Sequence, residues 1–163
     1  MPDAWDTSVA SQVHGRSRHA PLLAAHWRDG IPVALPAPTI QEIIRGLTSP
    51  AVHRPRVYPK LRWFGHLFRD PLTIVVPFNR GAAELSGHLL ARMPHPPTRN
   101  HRRAGTRAQQ RAAWALDVQI AACAFAGGYG VLTETVKDFG LLRDAIAELL
   151  PDATPLAVSD AQI

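Results

Sequence analysis

Apolar positions along the chain fall into two kinds of run. Short runs rich in β-branched residues occur at 31–37 ("IPVALPA"), 72–78 ("LTIVVPF") and 129–133 ("YGVLT"), and "DAWD" at 3–6 is a shorter candidate of the same kind. These predict strands. Longer runs with apolar residues three and four apart predict helices over 20–30, 38–47, 60–68, 81–93 and 137–150, and over a stretch from about Thr106 to the Gly127-Gly128 stop. In the 60–68 run, Leu61, Phe64, Leu67 and Phe68 carry the spacing. Strand and helix alternate, which predicts an α/β fold on a central parallel sheet. The pattern spans residues 1–150 as one domain, and residues 151–163 read as a frayed C-terminal tail.

One helix breaks its own pattern. "WALDVQIAACAFAGG" at 114–128 is small and apolar, yet it contains Asp117, the single charged residue between Arg111 and Glu134. Asp117 shares a helical stripe with Ile120, Ala121, Ala124 and Phe125, so it leans toward the interior. A buried carboxylate is costly unless something compensates its charge. If the helix starts near Ala113, Asp117 stands close to its N-terminus.

In a parallel sheet the functional crevice lies at the carboxyl ends of the strands. Asp6 closes the first predicted strand, Asp138 follows the last, Glu42 lies in the first turn of the helix after the second, and Asp117 joins them if its helix begins close to Ala113. Each has a simpler reading as well. Asp6 and Asp138 suit helix N-caps, and Thr39 with Glu42 matches a capping box. The set carries more than its members. Two carboxylates about 4 Å apart repel by about 1–4 kcal/mol at effective dielectrics of 80 to 20, so acids gathered at one rim call for a multivalent cation. An all-oxygen set suits Mg²⁺ or Mn²⁺, and such an ion serves hydrolysis of a phosphodiester.

Composition narrows the partners. The net charge is +5, the pI is near 10.3, and sixteen of eighteen basic residues are Arg. A cationic surface favours nucleic acid. "PHPPTRNHRRAGTRAQQR" at 94–111 reads as an exposed basic loop leading into helix, with Arg99, Arg102, Arg103 and Arg107 placed to contact a phosphate backbone. The lone Cys123 excludes an intrachain disulfide and reads as core packing. The eight His are scattered without zinc-site spacing, and Gly127, Gly128 and Gly130 form no phosphate-binding fingerprint. Trp63 and Phe64 read as core or dimer interface. No apolar run is long enough to span a membrane, and the acidic start lacks the layout of a signal peptide, so a cytoplasmic protein is expected.

Several motifs together resemble the PIN-domain family, in particular the VapC-type toxins of bacterial toxin–antitoxin pairs. "WDTSVAS" resembles that family's first strand and acid, "PTIQEIIRGL" its second-acid helix, and "LDVQIAACAFAGGYGVLTETVKDFGLL" its closing block; "VVPFN" before an Ala-rich helix also fits. The resemblance covers about residues 6–142 in order. It implies an α/β/α sandwich and a Mg²⁺- or Mn²⁺-dependent endoribonuclease. It also implies a homodimer blocked by a small antitoxin. It assigns Asp6, Glu42 and Asp117 as metal-binding acids, with Thr7 and Thr133 lining the site. The family often carries a fourth acid or amide two residues after the strand-end Thr; here that slot is Thr135. Strand alternation turns Glu134 away from the face of Thr133 and returns Thr135 to it. Asp138 is therefore the expected fourth acid, acting through water, with Thr133 and Thr135 hydrogen-bonding the site.

Overall fold

The computed structural model describes residues 1–51, 54–96 and 106–161. Five strands, β1 (Asp3–Trp5), β2 (Val33–Pro36), β3 (Thr73–Val76), β4 (Gly130–Thr133) and β5 (Val158–Asp160), form one all-parallel sheet in the order β3-β2-β1-β4-β5. The helices are α1 (Thr7–Ala10), α2 (Ala20–Arg28), α3 (Ala37–Ala51), α4 (Tyr58–Leu67), α5 (Arg80–Arg92), α6 (Arg107–Ala126) and α7 (Val136–Leu149), with a 3-10 turn at Pro55–Val57. The predicted strands and helices are all present, with ends shifted by a few residues.

Strand alternation sorts the core into two layers. Trp5, Val33 and Leu35 bury one face of the sheet with Val9, Val13, Leu23, Ile43, Phe64 and Leu67 from α1–α4 and the α1–α2 loop. Ala4, Ala34, Val76 and Val131 bury the other with Leu85, Leu89, Trp114, Ile120, Phe139 and Ile146 from α5–α7. The small Ala4 and Ala34, paired in register, let α6 lie close against the sheet centre. The result is the expected α/β/α sandwich.

Local signals set the helix starts. Asp6 caps α1, accepting from the Thr7 and Ser8 amides, and Asn79 caps α5. Thr106 and Gln109 form a reciprocal capping box at α6. This box places the start of α6 ahead of Ala113, so Asp117 is a mid-helix residue, and the expectation of a first-turn position is corrected. The Thr39–Glu42 capping box is also corrected: α3 begins at Ala37, and the buried Thr39 hydroxyl donates to the Trp5 carbonyl instead (3.3 Å).

The frayed tail is a further correction. Val158–Asp160 pairs in parallel with β4, with Val131 opposite Val158 and Thr133 opposite Asp160. Leu156 is buried in the α5–α7 layer and Ala161 in the α1–α4 layer. A strand this short, after Pro155, has too little pattern to be read locally. Leu156→Ala is expected to destabilise the fold by about 2–5 kcal/mol, the usual cost of truncating a buried Leu. Urea denaturation measures it, and an unchanged midpoint would restore the frayed-tail reading.

Candidate functional site

The sheet order reverses between β1 and β4. Chain connections lead from β1 outward to β2 and β3, then cross back to β4 and β5. Such a switch point opens a crevice at the carboxyl edge, and Asp6 and Thr133 stand on its two sides. The Thr133 hydroxyl donates to Asp6 Oδ2 at 2.9 Å. Ser8 Oγ donates to the same oxygen at 2.7 Å, and the Thr7 amide donates to Oδ1 at 2.6 Å. Thr135 joins this group through its amide and hydroxyl, both 3.0 Å from Thr133 Oγ1. Thr133 thus bonds the Asp6 carboxylate, and Thr135 bonds Thr133 in turn.

Asp6 is 3% exposed. Burial raises its pKa above the ordinary carboxylate value, while hydrogen bonds from Ser8, Thr133 and Thr7 pull it back in part. Its capping role and its place at the switch point coincide.

Glu134 turns the other way, as alternation predicts. Its carboxylate meets His19 Nε2 (2.8 Å), Arg18 (3.0 Å) and Gln12 (3.2 Å), fastening the α1–α2 loop to the end of β4. Its amide donates to Ser8 Oγ (3.1 Å). Ser8 thus links Asp6 to the Glu134 backbone, a role its helix-starting chemistry alone did not reveal. The partners of Glu134 lie more than a hundred residues away in sequence, and no local pattern announces them.

The remaining acids occupy separate elements. Asp138 is buried in the first turn of α7, whose N-cap is Thr135, so its reading as the N-cap is corrected. Asp117 lies on the buried stripe of α6 with Ile120, Ala121 and Ala124, and its Oδ2 is buried. Ten residues separate Asp117 from the Gly127 cap, about 15 Å of helix axis. Four strand residues span about 13 Å. The Asp117 turn therefore lies about level with the carboxyl ends of the strands, and the first half of α6 overhangs the sheet and packs against α3. Glu42 is half-buried in the second turn of α3, which corrects its expected first-turn place, because α3 already begins at Ala37. Asp160 is an acid the sequence reading missed: pairing of β5 sets it beside Thr133.

The donor set fits a divalent cation in kind, since every candidate ligand is a hard carboxylate oxygen. Thr7 Oγ1 adds a buried hydroxyl beside Asp6 with no hydrogen-bond partner among the described residues. The same residues do not form a closed cage: among the described residues, no three of the His, Cys, Asp and Glu side chains gather closely enough to hold an ion. Cys123 is buried and its thiol is pushed up to about 12, which removes it as a nucleophile. Of the four arginines expected to hold a nucleic-acid backbone, Arg99, Arg102 and Arg103 lie outside the described residues, and Arg107 is the exposed first residue of α6.

A five-stranded parallel sheet in this order, with an acid at the switch point, defines a PIN-like α/β/α fold. Two solved structures share it over 98% of both chains: VapBC2 from Rickettsia felis bound to a DNA fragment from their promoter (TM-score 0.60, 15% identity) and DNA-bound VapBC from Salmonella typhimurium (TM-score 0.58, 16% identity). No protein-family model and no curated protein matches the sequence. Among the described residues, no helix is long and apolar enough to cross a membrane.

The raised Asp6 pKa has a signed consequence. The folded chain holds this proton more tightly than the unfolded chain, so ionisation of Asp6 lowers stability as pH rises above the ordinary carboxylate value. The stability of Asp6→Asn relative to wild type should therefore increase from about pH 4 to about pH 7. Urea midpoints for both proteins across that range test it; a constant difference would remove the burial argument.

Proposed function

We propose that this protein is a metal-dependent endoribonuclease acting as the toxin of a toxin–antitoxin pair. The observation that carries the reading is the buried Asp6 carboxylate at the β1–β4 switch point, bonded by Thr133 and flanked by the Thr7 hydroxyl, which has no hydrogen-bond partner among the described residues. The PIN-like fold shared with VapBC complexes supports it.

In this reading Asp6, Glu42, Asp117 and Asp138, which form no closed cage by themselves, would hold Mg²⁺ or Mn²⁺ when it binds, with Asp138 acting through water. Such an ion would supply the Lewis acidity that lowers the pKa of a water and offsets charge on the phosphodiester. The chain's own groups do the positioning. Thr133 and Ser8 fix the Asp6 carboxylate, and Thr135 holds the Thr133 hydroxyl oriented toward it. Thr7 Oγ1 is free to bond a water or a phosphate oxygen at the crevice. Arg99, Arg102, Arg103 and Arg107 hold the RNA backbone. A small antitoxin blocks the crevice, and the toxin works as a cytoplasmic homodimer.

A catalytically decayed RNA- or antitoxin-binding module is the second reading. Two observations favour it: Thr135 stands where the family often has an acid, and no three acids gather among the described residues. Cleavage decides between the two.

Cleavage of single-stranded RNA is expected to require Mg²⁺ or Mn²⁺, and Asp117→Asn should lose at least about a hundred-fold in rate, consistent with about 3 kcal/mol of transition-state stabilisation. Full activity in excess EDTA, or wild-type cleavage by Asp117→Asn, would sink the mechanism. The fourth acid is tested separately at saturating Mn²⁺. Asp138→Asn should be slower than Glu134→Gln and faster than Asp117→Asn, because Glu134 is committed to His19 and Arg18 on the other face. A dead Glu134→Gln beside an active Asp138→Asn reverses the assignment.

A further inference from the structure

We propose that the outer surface of α4 and the 3-10 turn before it binds the phosphate backbone of RNA, as a second contact region apart from the 94–107 loop. The inference rests on the ribonuclease reading for its choice of ligand, but its observations are independent of the acids.

The first observation is charge. Residues 43–69 contain six Lys and Arg and no Asp or Glu. The rest of the chain carries twelve basic against thirteen acidic residues, so the whole net positive charge of the protein resides in this stretch. The fold does not neutralise it. Arg45, Arg54, Arg56, Arg62 and Arg69 are all exposed, and none forms an ion pair among the described residues. Elsewhere Arg18, Arg28, Arg80, Arg92 and Arg143 are each paired with a carboxylate.

The second observation is rigidity and alignment. Tyr58, Arg62 and His66 follow one another at helical spacing, so they share one stripe along α4, and Arg69 follows in the turn just beyond the helix end. The opposite side of α4 is rooted in the core through Phe64 and Leu67. Trp63 is held edge-on by His14 (4.9 Å between centroids) and Phe64 (5.0 Å), and this contact ties α4 to the loop that follows Asp6 and α1. Tyr58, 48% exposed, offers a ring at the start of the stripe on which a base can stack. Phosphates suit the forked guanidinium. A membrane surface is disfavoured, because no exposed Leu, Ile or Phe side chain lies among the cations of the stripe.

The test measures binding of a fluorescent single-stranded oligoribonucleotide to the full chain in EDTA across a salt series. The expected result compares wild type with a variant carrying Arg54→Ala, Arg56→Ala, Arg62→Ala and Arg69→Ala. Loss of four contacts should flatten the log–log salt slope by about 2.8, which is about fifty-fold less affinity lost between about 50 and 200 mM salt. The same four positions changed to Lys should keep the wild-type slope. If the quadruple variant fails to fold, Arg54→Ala with Arg56→Ala, outside α4, should flatten the slope by about 1.4. An unchanged slope in folded variants overturns the proposal. So does an unchanged RNA slope together with lost binding of a polyglutamate peptide, which would make the surface a site for an acidic polypeptide. Cleavage in Mn²⁺ is scored independently. A flattened slope with no wild-type cleavage removes the nuclease reading and leaves this face standing; cleavage with an unchanged slope does the reverse.

Discussion

The hydrogen bond from the Thr133 hydroxyl to Asp6 joins two strands that are neighbours in space and more than a hundred residues apart in the chain. It closes the point where the sheet order reverses. On one side of it the chain has laid down β1, β2 and β3 with α1–α4 against one face; on the other it returns with α5–α7 against the opposite face. A parallel sheet must be covered on both faces, and the reversal at β1–β4 is what allows both layers to be built from right-handed connections. The crevice at this edge is therefore a by-product of satisfying burial, and the polar residues in it are the ones the core does not need.

The surroundings of Asp6 show how burial and charge are balanced there. Burial raises its pKa, and the hydroxyls of Ser8 and Thr133 with two backbone amides offset part of the penalty. Glu134, one residue on from Thr133, sends its carboxylate to the other face and spends it on His19, Arg18 and Gln12. Two adjacent residues on one strand thus serve a crevice and a loop anchor, and the two-residue period of the strand is the cause.

The outer edges of the sheet are treated differently. β5 is brief and buried at its ends by Leu156 and Ala161. β3 leaves Ile74 and Val75 about half exposed, an edge that would invite strand pairing. Pro71 and Pro77 flank it without amide hydrogens, and the Thr73 amide is taken by the Asp70 carbonyl. The Val33 amide bonds the Leu72 carbonyl, which turns alternate β3 amides toward β2 and leaves Val75 as the outward donor. The edge is apolar but poorly equipped to add another strand.

The sequence by itself determined the alternation of strands and helices, the parallel class, the face on which Asp117 sits and the divergence of Glu134 from Thr133. These follow from periods of two and 3.6 residues, which any stretch of chain carries locally. Only the tertiary structure decided that Val158–Asp160 is a strand, that Asp160 stands beside Thr133, that Ser8 bridges Asp6 to the Glu134 backbone, and that Arg54, Arg56, Arg62 and Arg69 are exposed without an ion pair among the described residues. The start of α6 belongs between the two: the helix is read from about Thr106, where Thr106 and Gln109 cap it, and it is the alternative start near Ala113 that misplaced Asp117 in the first turn. Short strands and long-range polar contacts draw their stability from partners far away in the chain, so no window of sequence contains the energy that selects them.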